Sequence, residues 1–239
     1  MVVGVWWRDA FRSRFLTADG HLVDSSMSAA VSALGNGGGL LNAAERELAA
    51  EQLVNALVEH RYQIDLVPVA VAEVLPVLTD LGRLDMAYMV LLQTTERSWF
   101  GQVRQGRRLI SRGGPADMAE VGIMRWILAS MLGVTCLQAG YRRLQIRPRP
   151  PIGAGFQAGS PVQVLSALLP GVFGEWRISW EIKPGCFELQ VLVPPGCVAE
   201  AILPDGLGHQ INSGAHVLTM AFDQGGDGVP TLVDLARDG

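Results

Sequence analysis

Six tryptophans, four histidines, three cysteines and twenty-three carboxylates are the side chains of this 239-residue chain that could carry chemistry. The histidines, His21, His60, His209 and His216, are scattered without metal-ligand spacing. Cys136, Cys186 and Cys197 are odd in number and contain no CxxC pair, so neither a disulfide framework nor a zinc site is expected. Ser25-Ser26 and the glycines at 37 to 39 are not followed by Gly-Lys-Ser/Thr, which excludes a phosphate-binding loop. No metal and no cofactor is expected. Among the carboxylates, Glu96 and Glu120 read as solvated helix-end or surface charges. Glu73 falls beside Val74 on a helix with a solvent face, and Asp117 follows Pro115 at a helix start, where the dipole favours a negative charge.

Such groups act only if elements position them, and composition bounds those elements. The chain is 49% apolar and 18% charged, with mean hydropathy +0.26. That is greasy for a free-standing domain and hints at an uncovered partner surface. No apolar run approaches the roughly 20 residues that span a bilayer, so no membrane partner is expected. Net charge is −4 and the pI about 5.6, which provides no field for nucleic acid. The one basic run, Arg142, Arg143, Arg147 and Arg149, is interleaved with Leu144 and Ile146 and reads as a solvated strand face. Met1 to Trp7 is too short for a signal segment, and the reduced cysteines suit a cytoplasmic setting.

Through residue 138 the apolar period is helical. Asp24 is a candidate cap for a helix over Ser25 to Leu34. Asn42 and Glu45 form a capping-box pattern ahead of Ala49, Leu53, Ala56 and Leu57 on one face. A third helix is predicted from Pro68 through Leu78, kinked at Pro76 and ended by Gly82. A fourth covers Leu84 to Thr94. After an irregular stretch from Gly101 to Pro115, a fifth runs from Ala116 to Leu132, with Gly133 as its stop. From Tyr141 the period becomes 2. Trp176, Ile178, Trp180 and Ile182 alternate with polar residues, Lys183-Pro184-Gly185 turns, and Phe187, Leu189, Val191 and Val193 alternate again. Further strands are predicted over Val198 to Leu203 and His216 to Phe222. The domains are therefore 1–138 helical, 139–224 a β-sandwich, and 225–239 a loose tail.

Within that frame, segments resemble a known family in order. They are Phe11-Arg12-Ser13-Arg14-Phe15 with Ala18-Asp19-Gly20, Leu75-Pro76-Val77-Leu78, Asp85-Met86-Ala87-Tyr88, Leu91-Leu92-Gln93, Ser98-Trp99 and Gln105-Gly106. They continue with Gly140-Tyr141-Arg142-Arg143-Leu144, Ile146-Arg147-Pro148-Arg149-Pro150, Glu175-Trp176-Arg177, Val193-Pro194-Pro195-Gly196 and Leu203-Pro204-Asp205-Gly206. Together they resemble the C-terminal part of a bacterial α-L-rhamnosidase of glycoside hydrolase family 78. The resemblance implies an α+β multidomain chain: part of an (α/α)6 barrel, of the six-hairpin-glycosidase kind, followed by an antiparallel β-sandwich. A full barrel needs about twelve helices and the periodicity offers roughly five or six, so the half bearing the general acid is expected to be absent.

The resemblance also implies where catalysis should sit. An inverting glycosidase needs two carboxyl groups about 6.5–9.5 Å apart. In the family the base is a glutamate shortly after the Gln-Gly pair, preceded by a tryptophan. By that register Ser111 stands at the tryptophan and Arg112 at the glutamate, and a guanidinium, with a pKa above about 12, is no base. The family's pocket histidine segment aligns with Ala116 to Val121, including Asp117. Its pocket loop is replaced by Leu66 to Ala72. Asp65 lies near a family pocket segment. Trp99 is the remaining contact candidate, since an aromatic face stacks on a sugar ring; its plainer reading is a core tryptophan. No catalytic residue is assigned. The expectation is a catalytically silent relative contacting a rhamnose-containing carbohydrate. The alternatives are a half-enzyme completed by a partner chain carrying the N-terminal half, and a non-enzymatic carbohydrate- or protein-binding module. Exposed inner faces of an unclosed barrel would favour a homo-oligomer.

Overall fold

The computed structural model describes residues 3–35, 39–95, 98–104, 115–151 and 162–222. The chain divides into two compact units, Met1–Ile123 and Met124–Gly239.

The first unit is helical. Helix α1 spans Val3–Phe15, and α2 spans Met27–Gly35. Asp24 sits just outside α2: its Oδ1 accepts from Ser26 N–H at 2.9 Å, while Ser26 Oγ accepts from Ala29 N–H at 3.2 Å. The cap is therefore Ser26 and the helix begins two residues after the expected start. Helix α3, Ala43–Glu59, has the full capping box. Asn42 Oδ1 accepts from Glu45 N–H at 2.9 Å, and Glu45 Oε2 accepts from Asn42 N–H at 2.8 Å. Glu45 Oε1 also meets Arg12 at 2.5 Å, so one carboxylate closes a helix end and ties α1 to α3. Leu53 and Leu57 point inward from α3, fully buried.

The third predicted helix is two. Helix α4 is Pro68–Val71 and α5 is Val74–Asp80. The break precedes Pro76 instead of lying at it, for a physical reason. Restarting at Val74 puts Pro76 in a first turn, where its missing N–H costs nothing and its ring meets no carbonyl one turn back. Gly82, at φ +73°, ends α5: its N–H bonds Thr79 O and Arg83 N–H bonds Leu78 O, the paired closure of a left-handed cap. Helix α6, Leu84–Leu91, buries Met86, Ala87 and Tyr88, and burial pushes the Tyr88 phenol far above its usual range. Helix α7, Trp99–Arg104, occupies part of the stretch expected to be irregular. Helix α8, Pro115–Trp126, continues as a π-helical turn, Ile127–Met131, and Gly133 at φ +79° stops it as expected.

The second unit holds two four-stranded sheets. Strands β1 (Val134–Gln138), β2 (Arg143–Ile146), β6 (Val198–Ile202) and β7 (Gly208–Ile211) form one, in that order. Strands β3 (Val164–Gly171), β4 (Gly174–Lys183), β5 (Cys186–Val193) and β8 (Gly214–Ala221) form the other. Two expectations need correction. The sheet structure starts at Val134, inside the stretch assigned to helices, because β1 pairs β2. The sandwich is also not wholly antiparallel, since β2 and β6 run parallel. The expected β4–β5 hairpin is present, with Pro184 and Gly185 (φ +71°) between Lys183 and Cys186. One core cluster takes Trp176, Trp180, Phe187 and Leu189 from one sheet and Leu144, Ile146, Ala199 and Ala201 from the other. Both indoles are satisfied: Trp176 Nε1 donates to Tyr141 O and Trp180 Nε1 to Met131 O, each at 3.1 Å. Arg143, Arg147 and Arg149 face outward between buried Leu144, Ile146 and Pro148, the solvated face that the alternation implied.

Candidate functional site

In the helical unit a cavity of about 240 Å³ is lined by His60, Tyr62, Asp65, Gln93, Ser98 and Trp99, among others. Three chain turns build it. The first is the end of α3, which closes without a glycine. Arg61 N–H bonds Val58 O at 3.0 Å and Tyr62 N–H bonds Leu57 O at 2.7 Å. To make those bonds Arg61 and Tyr62 adopt φ +52° and +62°. Side chains pay of order 1 kcal/mol or more for each such residue, and such strain is found where a surface is held for a ligand.

The second turn follows α6. Gln93 Nε2 donates to Met89 O at 3.2 Å, fixing the amide at the helix end. The third is the start of α7, which carries Trp99. Ser98 Oγ lies 2.5 Å from Gln93 O and 2.7 Å from Thr95 O, and accepts from Gly101 N–H at 3.1 Å. Gly101 permits this closeness, because a Cβ there would lie 1.9 Å from Thr95 O. Trp99 is 8% exposed, so its plane packs in the core and only a margin reaches the cavity. The core reading of Trp99 holds, and its margin lines the cavity.

The chemistry of this lining is hydrogen bonding plus an aromatic edge. Asp65, exposed, is the one carboxylate among the described lining residues. Two-carboxylate hydrolysis needs a second, which these residues do not provide. Among the described residues no group of three or more His, Cys, Asp or Glu could hold a metal ion. A larger hollow, about 740 Å³, lies on the outer face of the β3-β4-β5-β8 sheet against Ser166, Arg177, Ser179 and Gln190. Its described lining includes the His216 imidazole but no Phe, Tyr or Trp ring and no carboxylate, so the smaller cavity is the better chemical candidate.

Of the other residues singled out in the sequence, Glu73 is exposed next to α5, as its solvent reading implied. Asp117 is the third residue of α8, in the first turn after Pro115. Its side chain and that of Glu120 lie outside the described part, as do Glu96, Ser111 and Arg112 altogether. His60 and Tyr62 were not singled out for the site. The signal that could have found them is a well-capped helix running into Glu59-His60-Arg61-Tyr62 with neither glycine nor proline to end it, which forces left-handed backbone onto bulky residues.

Comparison with known proteins bears on the family and the fold. Residues 7–110 match a family model described as the bacterial α-L-rhamnosidase six-hairpin glycosidase domain, and residues 133–217 match the bacterial α-L-rhamnosidase C-terminal domain. An α-L-rhamnosidase of Streptomyces avermitilis is 29% identical over 213 residues, which is 82% of this chain and 20% of the relative. One of Formosa agariphila is 32% identical over 144 residues, 54% of this chain and 15% of the relative. The crystal structure of the Streptomyces avermitilis enzyme complexed with L-rhamnose superposes with TM-score 0.70 at 28% identity, covering 89% of this chain and 23% of that one. A native Aspergillus terreus α-L-rhamnosidase shares the fold, with TM-score 0.71 and 22% identity over 90% of this chain and 26% of its own. The chain covers only 15–20% of the length of these curated relatives. With both of its units matched in family order, the chain belongs to the bacterial α-L-rhamnosidase family.

Proposed function

We propose that the chain is a non-hydrolysing member of its family that contacts a rhamnose-type saccharide in the cavity between Tyr62 and Trp99. The observation that carries this reading is the lining itself: ring, amide and hydroxyl groups that suit a sugar, and a single described carboxylate. The sequence register supports it, since Arg112 stands where the family has its base and cannot accept a proton from water at neutral pH. The relative solved with L-rhamnose supplies the ligand to try.

The test pairs two assays on the whole chain. No release of nitrophenol from an aryl α-L-rhamnoside is expected at any enzyme concentration. Titration with L-rhamnose should give weak, saturable binding that Trp99→Ala abolishes. Hydrolysis that disappears in an Asp65→Asn variant would overturn the silent reading. Binding unchanged in Trp99→Ala would overturn the cavity.

A second reading is a half-enzyme completed by a chain carrying the general acid. One observation favours it. Helix α1 leaves Trp6 and Trp7 more than half exposed, beside an apolar groove of about 300 Å³ that includes Phe11, Phe15 and Leu22. Activity appearing only on mixing with such a chain would decide for it. A reducing, cytoplasmic setting is our working assumption, on the three free cysteines; among the described residues no helix is long and apolar enough to cross a membrane.

A further inference from the structure

Among the described residues, the two sheets of the second unit end in four edge strands, β1, β7, β3 and β8. An edge strand exposes N–H and C=O groups that will template another strand unless something prevents it. Three of the four carry a known preventive. Strand β1 has a register shift between Cys136 and Gln138, a bulge that bends the edge. Strand β7 is only four residues long. Strand β3 contains Pro170, which lacks the donor a new partner would need. Strand β8 differs. It runs eight residues in unbroken register with β5, from Cys186 opposite Ala221 to Val193 opposite Gly214. Its sequence, Gly214 to Ala221, holds no proline, no lysine or arginine and no carboxylate.

We infer that β8 pairs antiparallel with β8 of a second copy of this chain about a twofold axis, joining two four-stranded sheets into one of eight. The occupant follows from the strand's chemistry. An antiparallel strand is its own complement, so one edge suffices for both partners and the assembly closes as a dimer. Its outward residues, Ala215, Val217, Thr219 and Ala221, are small and neutral, and opposing copies of them meet without like-charge repulsion. Val217, 62% exposed, gains a cross-strand partner. Pairing of β8 with β3 of another copy would instead propagate without closing, and Pro170 opposes it. This inference is independent of the saccharide cavity, which lies in the other unit.

Sedimentation equilibrium of the whole chain over roughly 1–100 μM tests it, since a self-association must follow protomer concentration. A reversible monomer–dimer equilibrium is expected, and amide exchange in β8 should slow as concentration rises. Val217→Lys and Thr219→Lys, both at outward positions, should each raise the dimer Kd by about tenfold or more, with the tryptophan near-ultraviolet dichroism unchanged. Leu168→Lys, on exposed β3, should leave the equilibrium alone. A monomer at every concentration overturns the inference, as does a dimer indifferent to both β8 lysines. Open polymers that Leu168→Lys dissolves would overturn it in favour of β8–β3 pairing.

Discussion

The two units solve the same problem, hiding apolar surface, with different completeness. In the sheet unit the rings of the core are enclosed, while Phe173 and Tyr141 stay exposed: Trp176, Trp180 and Phe187 are buried and the Trp176 and Trp180 indole N–H groups each have a carbonyl. Its one left-handed non-glycine residue among those described, Tyr141 at φ +57°, is pinned through its own carbonyl by Trp176. In the helical unit Tyr88 and Trp99 are buried, but three rings stay outside: Trp6, Trp7 and Phe15 are 65%, 61% and 48% exposed. There the strained pair Arg61-Tyr62 borders a cavity instead of a packed core. The contrast teaches where requirements differ. The core of the sheet unit is specified by packing, whereas the helical unit carries exposed rings and, beside its cavity, a strained pair.

The comparison is broken most sharply at Gly133. A Cβ there would sit 1.9 Å from Arg147 O, on a backbone already at φ +79°. Gly133→Ala should cost more than about 4 kcal/mol and leave the sheet unit without cooperative unfolding in a urea titration. Next comes Trp180→Ala, which opens a cavity beside Phe187 and removes one of the two donors to Met131 O, leaving the Arg149 N–H. A loss of about 3–5 kcal/mol is expected, read from the tryptophan dichroism. A smaller response would mean that the core is less closed than its burial implies. In the helical unit the corresponding test is Gly122→Ala. Its Cβ would fall 2.6 Å from Ala72 Cα, where α8 crosses the break between α4 and α5. Because loop backbone at that break can give, a loss of about 1–3 kcal/mol is expected by thermal melting.

How far these features could be read in advance follows the same divide. The β4–β5 hairpin was legible because period-2 alternation and a Pro-Gly turn agree with each other and with the core. The capping box at Asn42 and Glu45 was legible because it is a local device, closed within four residues. Strands β1 and β3 were not. Val164-Leu165-Ser166-Ala167-Leu168-Leu169 has apolar side chains on both faces, and Val164 and Leu168 stay exposed, so no alternation marks it. The break ahead of Pro76 was misplaced by three or four residues because a proline announces a disruption without saying on which side the helix will restart. At the site, Trp99 was visible as a residue type. Its neighbours His60 and Tyr62 come from 37 to 39 positions away in sequence, brought there by a helix end whose strain only coordinates reveal.

The smallest effect concerns the surface of the well-packed unit, where electrostatics should add little. Lys183 Nζ lies 2.7 Å from Glu188 Oε2 across the hairpin turn, and Gln190 Nε2 donates to Glu188 Oε1 at 2.7 Å. The lysine hydrogen bond first, then the Gln190 amide, hold the Glu188 carboxyl below its ordinary value of 4.5. The same contact holds the Lys183 ammonium above its ordinary 10.5. A lowered acid contributes stability that is complete above 4.5 and lost as pH falls through its lowered folded value. A raised base contributes below 10.5 and loses it as pH climbs through the raised value. Glu188→Gln should therefore melt slightly below the parent across the neutral range, and the gap should close toward both extremes. High salt should close it too, because the pair is solvent-accessible. A gap that stays constant down to strongly acidic pH would assign the difference to packing at the turn, and the sheet unit would then owe this corner of its surface to shape instead of charge.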